Sequence, residues 1–119
     1  MSGVLDAIVK KKLVTTPEVV SSDFQTDFVD SSGVEDTFSV ELTYSNGNGA
    51  VDMTFRLEVS VSGNVYVPIE ETDFDITDDS GALIWEVTGR GVNFVRVAVV
   101  VNAGQLQVDT CEFSGSRRH

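Results

Sequence analysis

Six carboxylates crowd into twelve positions of the stretch EETDFDITDDSG, residues 70–81: Glu70, Glu71, Asp73, Asp75, Asp78 and Asp79. Clustered carboxylates ligate a hard cation such as calcium, or work in pairs as proton donor and acceptor. Laid on the EF-hand pattern, Asp75, Thr77, Asp79 and Glu86 fall at the first, third, fifth and twelfth loop positions. The sixth position needs a glycine for its sharp turn, but holds Ser80, and Gly81 comes one residue late. Both flanks have the two-residue period of strands, where an EF-hand needs helices. A calcium site of another kind would use Asp75, Asp78 and Asp79 with backbone carbonyls. The simpler reading is a solvated turn between strands, because Asp78, Asp79, Ser80 and Gly81 are turn formers.

Other chemistry lacks its parts. The single histidine, His119, is the last residue, so neither a Ser-His-Asp nor a Cys-His arrangement has a base on a rigid element. No pair among the many acids is singled out for glycoside hydrolysis. One histidine and one cysteine are too few to hold zinc. TGRGVNF (88–94) matches neither phosphate-binding glycine pattern. The expectation is a non-enzymatic chain with no catalytic residue, no cofactor and no resident metal. A carbohydrate-binding face would need exposed aromatics, for which Tyr66 and Trp85 are the candidates, with Tyr44 behind them. Each lies on or beside an apolar stripe, where an aromatic more often belongs to a core. Arg96 sits within the most apolar strand, where an unpaired cation is costly. Either a nearby acid pairs it within the chain, or, with Phe94 beside it, it marks a subunit contact.

The elements that must position these residues are strands. FSVELTY (38–44) and VDMTFRLEVSV (51–61) alternate apolar and polar residues with period two, sending Val51, Met53, Phe55, Leu57, Val59 and Val61 to one face. The glycines and asparagines of SNGNGA between them predict a hairpin. SGN (62–64) predicts a second turn, and Pro68 suits a strand edge. ALIWEV (82–87) turns Leu83, Trp85 and Val87 inward. GRG (89–91) breaks the chain. NFVRVAVVV (93–101) is apolar on both faces and therefore central or covered. NAG (102–104) predicts another turn, and the phase change between Val108 and Cys111 predicts a bulge near Asp109. With FQTDFV (24–29) and FDI (74–76), seven or eight strands argue for an all-β, antiparallel two-sheet β-sandwich, jelly-roll or immunoglobulin-like, over residues 23–114. Residues 1–22 are read as an N-terminal arm, extended or in part a short helix, that either folds back on its own body or reaches a neighbouring chain, and 115–119 as a basic C-terminal tail.

At 119 residues the chain suits one domain, and 41% hydrophobic with 23% charged residues is a globular composition. The net charge is −11, unevenly placed: Lys10–Lys12 and Arg117–Arg118 sit at the ends, while 13–114 sets three cations against eighteen acids. Basic ends on an acidic body can dock on acidic surface, a second copy included. Such a body repels phosphate, so no nucleic-acid partner is expected. The lone Cys111 excludes an internal disulfide framework. No apolar run reaches the length of a membrane span, and Asp6 and the lysines interrupt a signal-peptide core, so a cytoplasmic origin is expected.

From Ser60 through Ile69, with its Gly-x-x-Tyr-Val-Pro turn, the chain resembles small β-sandwich proteins of tailed-bacteriophage virions. Trp85, the strand Phe94–Val97 and the run from Gly104 to Val108 continue the likeness, which covers roughly residues 38–110. The resemblance implies a capsid decoration or cement protein that stabilises the shell, bound to the major capsid protein or another virion protein and located in the virion after assembly in the host bacterial cytoplasm. A homo-oligomer is expected. The assembly contacts would be Val4, Leu5, Ile8, Val9, Val19 and Val20 from the arm, with Phe94 and Arg96 from the body. Lys10, Lys11, Lys12, Arg117 and Arg118 would meet acidic neighbours. The alternative is a carbohydrate- or calcium-binding module of a tail or adhesin protein.

Overall fold

The computed structural model describes residues 8–88 and 92–117. Nine strands are found among them: β1 (Ile8–Val14), β2 (Glu18–Val20), β3 (Phe24–Gln25), β4 (Val29–Asp30), β5 (Val34–Ser60), β6 (Val67–Pro68), β7 (Phe74–Ile76), β8 (Gly81–Val87) and β9 (Phe94–Arg117). The two longest, β5 and β9, pair antiparallel along their whole length, from Val34 opposite Arg117 to Ser60 opposite Phe94. A straight strand of 27 residues would run roughly 90 Å at about 3.3 Å per residue. The longest dimension of the molecule is 51 Å, so the ribbon bends.

The bend lies at SNGNGA and NAG, and it corrects the sequence reading. These segments are not hairpin turns. Residues 38–44 and 53–60 do not pair with each other, for each continues β5 and pairs with β9. The register with β9 shifts between Ser45 and Asn48, between Asn48 and Asp52, and again at Met53. Asn46, Gly49 and Ala50 take φ of 57°, 76° and 54°. Opposite them Gly104 has φ 80°, and a Cβ there would stand 2.8 Å from Val51 Cα. Residues that tolerate positive φ serve a shared kink as well as a reversal.

On one side of the bend the strand order is β1-β9-β5-β8. On the other, β3 and β4 flank β9, while β7 and β6 flank β5. A four-stranded antiparallel ribbon folded over at its middle is a jelly roll, which decides between the two expected sandwich types. The inner faces meet in one core. Val40, Leu42, Val108 and Phe113 come from the first sheet, Met53, Phe55, Leu57, Val95, Val97 and Val99 from the second, each with 1% or less exposed. Tyr44 and Phe55 bridge the sheets with ring centroids 5.8 Å apart. The bulge near Asp109 is present: Thr43 faces Thr110 while Tyr44 faces Val108.

The short-helix option for the N-terminal arm is corrected. From Ile8 onward the segment is extended and folds back on its own body, where β1 pairs with β9 from Ile8–Ser116 to Val14–Cys111 and β2 pairs with Leu106–Val108. Leu13, Val14 and Val20 are buried in the common core. Of the basic tail, Gly115 to Arg117 finish β9. The lysine triplet hides this strand because it places charge on a sheet edge, where alternation need not hold. Val4, Leu5, Gly89–Gly91, Arg118 and His119 lie outside the described residues.

Candidate functional site

The acidic stretch is spread over three local structures rather than gathered round one point. Glu70–Thr72 forms a single 3-10 turn, Asp75 lies on β7, and Asp78 and Asp79 lie in the bend before β8. The Asp75 carboxylate accepts from Thr54 Oγ1 at 2.9 Å, and the Asp79 carbonyl accepts from Gly47 N–H at 2.9 Å. Asp73 pairs with Arg56 Nε at 3.3 Å. Among the described residues no group of three or more His, Cys, Asp or Glu could hold a metal ion. Asp75, Asp78 and Asp79 are therefore not brought together as calcium ligands, and the stretch acts as a connection.

Trp85 is not a sugar platform. It is 4% exposed, and its Nε1–H donates to the Thr72 carbonyl at 2.6 Å beneath the Phe74 ring. Tyr44 is equally buried; burial, helped by Asp78, pushes its phenol above the usual value. Tyr66 remains half-buried on the outer face of the second sheet, with the Arg96 guanidinium 3.9 Å over its ring. Arg96 Nε–H donates to Glu58 Oε1 at 2.7 Å. The cation is thus paired within the chain, the first of the two readings of Arg96. Phe94 is half-buried against the edge of Phe28, centroids 5.7 Å apart.

Of the other residues expected at an assembly contact, Ile8 and Val19 are exposed, at 57% and 61%. Val9 packs partly against the core, and Val20 is 1% exposed, so Val20 is a core residue and not a contact. Lys11 donates to the Phe28 carbonyl at 2.8 Å and lies 3.7 Å from Asp27. Lys10, Lys12 and Arg117 are exposed.

Surface depressions among the described residues escaped the sequence. A groove of about 260 Å³ runs beside β8, lined by Ile69, Thr72, Phe74, Ile84, Trp85 and Glu86 among others. An apolar notch of about 350 Å³ lies between Val59, Val61, Val65, Val67 and Val92. Val61 is 67% exposed, against the inward placement that alternation predicts. The strand ends at Ser60, so the two-residue period no longer governs Val61.

No family model matches the chain, and no curated protein matches its sequence. Solved structures match it in fold. The SPBc2 prophage-derived protein YomS aligns over 92% of this chain and 92% of its own, with TM-score 0.55 and 10% identity. The VP2 subviral particle of infectious bursal disease virus gives TM-score 0.60 at 7% identity over 93% of this chain, which spans only 32% of VP2. Chitosan-binding module 1 from a chitosanase/glucanase of Paenibacillus sp. IK-5 gives TM-score 0.53 at 14% identity, covering 91% of this chain and 94% of the module.

Proposed function

We propose that this chain is a non-enzymatic structural protein of a bacteriophage particle, a capsid decoration or cement protein that binds the major capsid protein or another virion protein. The observation that carries the reading is the end-to-end likeness to YomS, a prophage-derived protein of nearly the same extent. The jelly roll shared with VP2, named from a subviral particle, supports it. So does the use of polar groups: Arg96, Glu58, Asp73 and Asp75 are spent on contacts within the chain. The test is an antibody against the chain, applied to purified particles by immunogold microscopy and quantitative mass spectrometry. The protein is expected in many copies per head. Particles that lack it while the cell contains it would sink the proposal.

A second reading, a glycan-binding module of a tail or adhesin, is favoured by the full-length likeness to the chitosan-binding module. An acidic surface suits a cationic sugar polymer, and the groove beside β8 offers Phe74 and Glu86 in place of the buried Trp85. Retention on chitosan that Glu86→Gln abolishes would favour this reading over the first.

A further inference from the structure

The first sheet has two open edges of equal length, β1 and β8, seven residues each. Among the described residues β1 pairs only with β9, and β8 only with β5. Unpaired edges offer a row of backbone donors and acceptors to another strand. On the outer face of this sheet one row runs from a cation at the β1 edge to a carboxylate at the β8 edge, and the next carries its carboxylates on the two inner strands. The first is Lys10, Ser114, Ser39, Glu86, and the second Lys12, Glu112, Glu41, Ile84. The sheet therefore begins in lysine and ends in a glutamate beside the exposed Ile84.

We propose that the β8 edge of one copy receives the β1 edge of a second copy, head to tail, so that the four-stranded sheets join into a continuous one. The directions permit it. Strands β1, β9, β5 and β8 alternate up and down, so the next β1 enters antiparallel to β8. The faces exclude odd slips, because a slip by one residue would turn the core side outward, and the charges choose among the even registers. Continuing both rows without stagger sets the partner's Lys10 opposite Glu86 and its Lys12 opposite Ile84. Among the described residues the body meets the β1 edge at Leu13, whose carbonyl accepts from Asp27 N–H at 3.2 Å, and through the Lys11 side chain on the Phe28 carbonyl, and it makes no backbone bond to Lys10 or Lys12 there.

Lysines on an edge ordinarily guard against pairing, and here the guard is selective. Two β1 edges would set like charges opposite each other, whereas β8 supplies a carboxylate. Joining unlike edges is a heterologous contact, which closes into a ring or continues as a filament. The inference does not rest on the virion reading.

The test uses the full chain with Lys10→Cys and Glu86→Cys. Within one copy these positions lie three strand spacings apart, about 14 Å, too far for a disulfide. Oxidation should give a ladder of linked oligomers on a non-reducing gel, with neither single cysteine giving any. The reduced protein should sediment like the parent. In parallel, Lys10→Glu or Glu86→Lys should each weaken self-association about tenfold, and an equimolar mixture should restore it. A double-cysteine chain that stays monomeric overturns the proposal, as does Glu86→Cys dimerising alone, which would mean β8 pairing with itself. A monomer that is nevertheless found on particles overturns the edge pairing and leaves the shell-binding reading standing.

Discussion

Thr72→Val keeps the shape of a buried side chain and removes only its hydroxyl. That hydroxyl holds a place in the sheet. Between β6 and β7 the 3-10 turn carries the backbone away from β5, and the Leu57 N–H meets Thr72 Oγ1 at 3.0 Å instead of a carbonyl. Oγ1 donates in turn to the Ile69 carbonyl at 2.5 Å. With valine, Ile69 O keeps the Thr72 backbone N–H at 3.0 Å, but Leu57 N–H loses its acceptor. A buried unsatisfied donor costs about 1–3 kcal/mol, and the added methyl returns less than about 1 kcal/mol. The expected net loss is about 1.5 kcal/mol, which lowers the midpoint by roughly 5–9 °C in a domain of this size. Calorimetry and urea unfolding of Thr72→Val and Thr72→Ser measure it. Serine keeps the hydroxyl and should lose distinctly less. Tryptophan emission should hold in both, because Trp85 bonds the Thr72 carbonyl, which neither change removes. A valine variant as stable as the parent, or a serine variant equally damaged, would refute the hydroxyl's role as a stand-in for backbone.

Gly104→Ala should cost more than Gly63→Ala, although both positions have positive φ, 80° and 87°. Each incurs about 1–2 kcal/mol of left-handed strain, but Gly104 meets the Val51 backbone at 2.8 Å while Gly63 meets the Phe94 ring at 3.2 Å; comparative urea unfolding checks the order. Burial pushes the Cys111 thiol up to about 12, so an aromatic disulfide reagent at pH 8 should find no thiol in the folded chain and one in urea. Hydrogen bonds from Ser45 and Gln107 hold the Asp109 carboxyl below its usual value. Its contribution to stability is present above the ordinary carboxylate pKa and lost as pH falls through the depressed one, so Asp109→Asn should flatten the acid limb of a stability–pH curve. Burial raises the Tyr44 phenol; that contribution is lost as pH climbs from about 10 through the folded value, and Tyr44→Phe should flatten the alkaline limb.

Alternation alone showed which side chains face the core, because burying one face of a strand demands period two wherever the chain runs. Met53, Phe55 and Leu57 are inward as read, and so are Val95, Val97 and Val99. The path of the chain was not legible at SNGNGA, where local residues specify positive φ but only a distant partner decides between a reversal and a kink. The clue present in the sequence was paired: a second glycine-bearing break, at Gly104, interrupts the other long apolar run, and the two breaks lie opposite each other in the fold. Trp85 was ambiguous for a related reason. A core face and a binding face give the same alternation, and only the layer that covers the strand tells them apart.

The same reasoning explains why the form of the lysine segment, a sheet edge rather than a loose arm, is not legible in the sequence. Lys10–Lys12 follow an apolar run and look like a free basic arm when adjacency in sequence is the only guide. Pairing through Ser114 and Ser39 places Lys10 in one row with Glu86, a relation that no local window contains. The pairing turns a charge run into the first column of a sheet whose last column has the opposite sign. An arm would bind any acidic surface and lose its grip with salt. An edge is more demanding, since it needs a strand of matching direction, face and register. Added salt should therefore weaken the Lys10–Glu86 contribution to self-association while leaving the backbone ladder, whereas binding by a flexible basic arm would vanish altogether.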